Sequence, residues 1–198
     1  MNLDKLDHRP EDDHRPEDDH RPDEPGLRPR VVLVGPMGAG KTTVAGLLAE
    51  AWGVTARDTD ADIVAAEGRS VADIFVESGE HEFRRLEHDA VERALREHDG
   101  VLALGGGAVL DPTTRERLGG QVVVFLRVGL SDAVKRVGLG SSRPMLLGNV
   151  RGRIKTLLDE RAPLYESVAT LVVDTDGRSP EDVAGEIRQA LGEREDRA

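Results

Sequence analysis

Cysteine is absent from this 198-residue chain, which excludes disulfides and thiolate metal centres. Aromatic residues are scarce, with three Phe, one Tyr and one Trp, so any core must be aliphatic. Lysine is nearly missing as well: Lys5, Lys41, Lys135 and Lys155 stand against a much larger arginine complement. No apolar run approaches the roughly 18 residues of a membrane span, and the N-terminus carries no apolar export segment. Positive charge is in deficit too, with a formal net charge of -11. That balance argues against general affinity for nucleic acid or anionic lipid, because both need a basic footprint. The expectation is a cytoplasmic protein without nucleic-acid or membrane partners, in which any anionic ligand is held by a local cluster of donors.

Residues 1–28 stand apart in composition. A hexapeptide starting at Asp7 (Asp-His-Arg-Pro-Glu-Asp) recurs from Asp13 and, with its last two acids exchanged, from Asp19. Residues 1–26 hold ten acidic and four basic side chains and almost nothing apolar, so the sequence predicts a disordered acidic extension. The even spacing of His8, His14 and His20 leaves a metal-binding tail as an alternative to a solvated low-complexity segment.

From residue 30 onward, β-rich apolar runs alternate with amphipathic stretches. The runs are Val31–Val34, Val101–Leu104, Val122–Leu126 and Leu171–Val173, as suits strands buried on both faces of a parallel sheet. Helical pattern covers Thr42–Ala51, Gly79–Glu97, Ser131–Val137, Asn149–Leu158 and Pro180–Leu191, and Ser70 with Asp73 signals the cap of one further short helix. The alternation predicts one α/β domain over residues 29–198.

Gly35-Pro36-Met37-Gly38-Ala39-Gly40-Lys41-Thr42 follows the first run and opens the first helix. It matches the phosphate-binding G-x-x-x-x-G-K-[ST] pattern in its proper context. Glycines let successive N–H groups face a phosphate, and the helix start adds its positive dipole end. Lys41 would reach the β- and γ-phosphates, Thr42 would ligate Mg2+, and Gly35, Gly38, Ala39, Gly40 and Thr43 complete the candidate ATP cradle.

Three further segments carry acceptor chemistry. In Asp58-Thr59-Asp60, read as extended, alternate carboxylates share one side, one for a metal and one for a hydroxyl proton; a solvated loop or a helix cap is the plain alternative. Phe83-Arg84-Arg85 lies in the long helix, and Gly105-Gly106-Gly107 follows a strand at the sheet edge where ligands bind. A surface arginine pair and a flexible turn are the corresponding bland readings. Farther on, Gly138-Leu139-Gly140-Ser141-Ser142-Arg143-Pro144 reads either as a mobile lid over residues 138–150 or as a connector, and Arg161-Ala162-Pro163-Leu164-Tyr165 follows a helical stretch.

Taken in order, GPMGAGKT, DTD, EFRRLE, LGGGAVL, SRPML, RAPLY and VDTDGRSP resemble shikimate kinase across most of residues 30–190. The resemblance implies a three-layer P-loop NTPase fold, with a five-stranded parallel sheet flanked by helices and a mobile lid. It implies transfer of the ATP γ-phosphate to the 3-hydroxyl of shikimate, on the route to chorismate and aromatic amino acids, with Mg2+ as cofactor and a monomeric enzyme. By position it makes Lys41, Asp60 and Arg143 catalytic, Asp58 an outer-shell metal partner of Thr42, and Arg84 and Arg161 the clamp on the shikimate carboxylate. Gly105, Gly106 and Gly107 would lie against the substrate ring, with Arg136, Arg178 and Pro180 beside adenine. Planar guanidinium groups suit a small carboxylate. Another small-acceptor kinase, such as gluconate kinase, and a non-catalytic nucleotide-binding module remain open alternatives.

Overall fold

The structure, a computed structural model, describes residues 27–138 and 149–195. Five parallel strands form one sheet in the order β2-β3-β1-β4-β5: β1 Val31–Val34, β2 Ala56–Asp58, β3 Val101–Ala103, β4 Val123–Arg127 and β5 Leu171–Asp174. Helices fill the crossovers: α1 Lys41–Trp52, α2 Thr59–Glu67, α3 Val71–Glu77, α4 Gly79–Glu97, α5 Pro112–Leu118, α6 Leu130–Gly138, α7 Val150–Val168 and α8 Pro180–Glu195. The predicted α/β class and five-stranded parallel sheet are thus what the chain forms.

The core follows the two-residue period of a strand. Val31, Leu33, Val101, Ala103, Val124 and Leu126 pack on one face with Leu48 of α1 and Ile187 of α8. Val32, Val34, Leu102, Val123 and Phe125 pack on the other with Val91 of α4 and Tyr165 of α7. A smaller cluster of Ile63, Ile74, Phe83 and Ala90 joins α2, α3 and α4. Ser70 and Asp73 form the reciprocal capping box at the start of α3, as the sequence predicts.

Two local expectations are corrected. Asp58-Thr59-Asp60 is not an extended run: Asp58 ends β2 and caps α2, accepting from the backbone N–H of Asp60 at 3.0 Å and of Ala61 at 3.4 Å, so Asp60 sits in the first helical turn. The arginine of Arg161-Ala162-Pro163-Leu164-Tyr165 does not follow a helix but lies within one, since α7 continues through Pro163 to Val168. Proline removes one helical hydrogen bond, yet Ile154, Arg161 and Tyr165 are all buried on α7, and that packing carries the helix past the break.

Candidate active site

The donor end starts where β1 stops. Gly35, Gly38 and Gly40 take φ of 147°, 80° and 90°, conformations that side-chain-bearing residues rarely adopt. The turn they make brings α1 in with no side chain capping its first N–H groups, the arrangement that suits an anion. Lys41 folds back over the loop, its Nζ donating to the carbonyls of Gly35 at 2.8 Å and Pro36 at 3.1 Å. Beside it the Thr42 hydroxyl donates to Asp58 Oδ2 at 2.7 Å. A hydroxyl and a carboxylate from separate elements form a hard-oxygen pair that fits Mg2+, an ion that binds through few protein groups plus substrate phosphates. Among the described residues there is no cluster of three or more His, Cys, Asp or Glu side chains able to hold a metal by itself.

The acceptor end is built from α2, α4, α7 and the glycine run. Arg84 donates to the buried Glu87 at 2.6 Å and to Glu80 at 3.0 Å, and its guanidinium lies over the rings of Phe83 and Phe75 at 5.5 and 5.9 Å. Burial works against the charge of Arg84, but Glu87 and Glu80 outweigh it and hold its pKa above the ordinary value. Burial pushes Glu87 up, and Arg84 offsets this only in part, while nearby Asp60 adds to the rise. Arg85, by contrast, faces outward and pairs with Glu82 and Asp89. Arg161, buried on α7, donates to the Gly106 carbonyl at 3.0 Å, and Tyr165 donates to the same oxygen at 2.6 Å.

Close approach explains two of the three glycines. A Cβ at residue 105 would lie 2.5 Å from Asp60 Oδ1 and 2.6 Å from Glu87 Oε1, and one at 107 would fall within the Arg84 guanidinium. These glycines therefore make room for protein carboxylates and a guanidinium. The N–H of Gly105 goes to Thr59 Oγ1 at 2.9 Å and so is committed inside the fold.

At the far end, Arg136 donates to the carbonyls of Gly38 and Thr175 at 3.2 and 2.6 Å and to the Thr175 hydroxyl at 3.1 Å, tying α6 to both the phosphate loop and the segment after β5. Arg178 is held by Glu186 at 2.5 Å and by the carbonyls of Asp174 and Asp182.

One cavity of about 780 Å³ runs between these ends. Gly38, Ala39, Gly40, Lys41, Thr42, Thr43, Asp58, Asp60, Arg84, Gly106, Gly107, Arg136, Arg161, Arg178 and Pro180 line it. Gly35 and Gly105 are not on its wall, and Arg143, with residues 139–148 of the expected lid, lies outside the described residues. The sequence reading assigned nothing to Glu87, Phe75 or Tyr165. Glu87 had a signal, its three-residue spacing from Arg84 on a helix; the other two had none that is local.

Comparison with known proteins falls on the same region. The family model described as shikimate kinase matches residues 37–192. A shikimate kinase of Streptomyces avermitilis is 57% identical over 163 residues, covering 82% of this chain and 95% of that protein. One from Mycobacterium bovis is 48% identical over 166 residues, covering 83% and 94% respectively. Among solved structures, shikimate kinase from Acinetobacter baumannii in complex with shikimate superposes with a TM-score of 0.81 at 35% identity, covering 85% of this chain and 94% of that one.

Proposed function

The chain belongs to the shikimate kinase family, and from that premise we propose how its own residues carry the γ-phosphate of ATP to the 3-hydroxyl of shikimate. The observation that carries the assignment of roles is the single cavity in which the phosphate loop faces the Asp60, Arg84 and Arg161 cluster. N–H groups of residues 38–43 cradle the phosphates, and Lys41 turns from its loop carbonyls to the β- and γ-oxygens. Thr42, with Asp58 beside it, would hold Mg2+, and the ion would supply charge neutralisation to the transferred phosphoryl group.

Arg84 and Arg161 grip the shikimate carboxylate, and Asp60 faces the reacting hydroxyl. The hydroxyl oxygen bonds to the γ-phosphorus, the bridging oxygen leaves with ADP, and the hydroxyl proton passes to the Asp60 carboxylate. Positioning and charge neutralisation do most of the work in such a transfer, so Lys41 and Arg143 matter more than the strength of any base. Arg136, Arg178 and Pro180 enclose adenine. We further assign the protein to the cytoplasm as a monomer with no nucleic-acid or membrane partner. The acidic balance supports the part of this reading that concerns nucleic acid and anionic lipid; among the described residues no helix is long and apolar enough to cross a membrane.

The test is ADP release from Mg·ATP in a coupled assay run in parallel with shikimate, quinate, gluconate and no acceptor. Turnover only with shikimate is expected. Turnover only with another acceptor would overturn the Arg84, Arg161 and Asp60 assignments while leaving the phosphate loop intact.

A further inference from the structure

Gly106 touches both halves of the reaction. Its Cα faces the phosphate loop at ordinary contact distance, an added Cβ lying 3.6 Å from the Gly35 carbonyl oxygen and the Met37 nitrogen, while its own backbone lines the cavity beside Gly107. The Gly106 carbonyl points the other way, to α7, where Tyr165 and Arg161 both donate to it. Two donors fill the two lone pairs of that oxygen. The peptide unit is planar and trans, so a fixed Gly106 C=O also fixes the Gly107 N–H, which points away from α7.

Arg161 gives this carbonyl one N–H of a guanidinium whose remaining donors are left for a substrate carboxylate, so on the proposed reading its position answers to both. Tyr165 makes no direct claim on substrate: it is 1% exposed, stacks on Phe125 of β4 with ring centroids 5.0 Å apart, and its hydroxyl meets the Gly106 carbonyl and the neighbouring Arg161. A phenylalanine would fill that core equally well, so packing does not explain the hydroxyl.

Resting on the shikimate kinase reading, we propose that Tyr165 is a positioning residue for phosphoryl transfer. Its hydroxyl holds the Gly106 carbonyl and so sets the height of the acceptor loop over the phosphate loop. Without it the loop is held only by Arg161, whose guanidinium also answers to the substrate carboxylate, and acceptor and γ-phosphate lose alignment while each still binds.

The test is Tyr165→Phe, read as kcat, both KM values, melting temperature and shikimate 3-phosphate formed per ADP released. Expected are a fall in kcat of about tenfold or more, since a 1 Å misplacement costs up to a hundredfold, an ATP KM within about twofold of wild type, and less shikimate 3-phosphate per ADP, the balance of the γ-phosphoryl group passing to water and appearing as inorganic phosphate. Wild-type kcat and stoichiometry in the variant would overturn the proposal whatever its melting temperature. Failure of the wild-type protein to phosphorylate shikimate would instead sink the family-based reading.

A second measurement needs no variant. The chain has one tyrosine, so uniform 3-fluorotyrosine labels residue 165 alone. Its fluorine resonance should move on adding shikimate; a resonance unmoved at saturating shikimate would overturn the proposal.

Discussion

The Thr42 hydroxyl donates to Asp58 Oδ2 at 2.7 Å, joining the first turn of the phosphate helix to the last residue of an edge strand. Asp58 works twice, because its Oδ1 caps α2 at the same time. Asparagine caps a helix as well as aspartate does, so the two duties can be separated. Asp58→Asn should keep the melting temperature while the Mg2+ concentration for half-maximal rate rises about tenfold, a shift expected from losing one carboxylate near a hard cation. Asp58→Ala should in addition cost about 1 kcal/mol of stability in denaturant unfolding.

Arg84→Ala removes a charge-assisted contact of roughly 1.5–3 kcal/mol, hence about a 10- to 100-fold loss in kcat/KM for shikimate with ATP affinity nearly intact. It also strips the buried Glu87 of its nearest cation. The pKa of Glu87 is already raised by burial above its usual 4.5, and the loss raises it further. Stability linked to a raised pKa is fully present below 4.5 and is lost as pH rises through the folded value. The stability deficit of the variant should therefore be smallest near pH 4.5 and grow toward neutrality, as followed by thermal melts across that range.

Gly107→Ala should copy the Arg84 defect by displacing it. The group it meets is the guanidinium paired with the buried Glu87, so the shikimate KM should rise and stability should fall with the same pH dependence as in Arg84→Ala. In a double-mutant cycle, Gly107→Ala should add nothing to Arg84→Ala, since both remove one contact.

The lone tyrosine offers a titration free of overlap. Burial pushes the Tyr165 hydroxyl up to about 12, so tyrosinate absorbance should rise near pH 12 in the folded protein and near 10 once unfolded. The sign follows: stability from this group is whole below pH 10 and is lost as pH rises through 12. Tyr165→Phe should flatten that part of the alkaline stability profile.

Deleting residues 1–28 should leave kinetics and melting temperature almost unchanged, because their composition offers nearly nothing to bury. Side-by-side assays and melts of the two chains check it.

Legibility in the sequence followed the range of the forces involved. The bounds of β1 and α4 agree to the residue with the apolar run at Val31–Val34 and the pattern over Gly79–Glu97, because both bury a full face. Helix α2 leaves no stripe in the sequence, since it buries only Thr59 and Ile63. Helix α5 does carry a local signal, Asp111 and Pro112 forming an ordinary cap and first-turn pair, but at seven residues it is too short for a periodic stripe. In the candidate site, the phosphate loop could be read because its geometry is set within eight consecutive residues. The attachment of Tyr165 to Gly106 spans 59 residues, and no local pattern encodes it.

The strand order has a consequence for how such an enzyme can be altered. Asp58, Asp60, Arg84 and the glycine run hang on β2, β3 and their connections, whereas Arg136, Thr175 and Arg178 hang on β4, β5 and theirs, with the phosphate loop on β1 between. On the proposed assignment of roles, one flank of the sheet can therefore diverge toward a new alcohol while the opposite flank keeps its nucleotide. The part that must coevolve with both is α7, whose Arg161 and Tyr165 reach across from the nucleotide flank to Gly106.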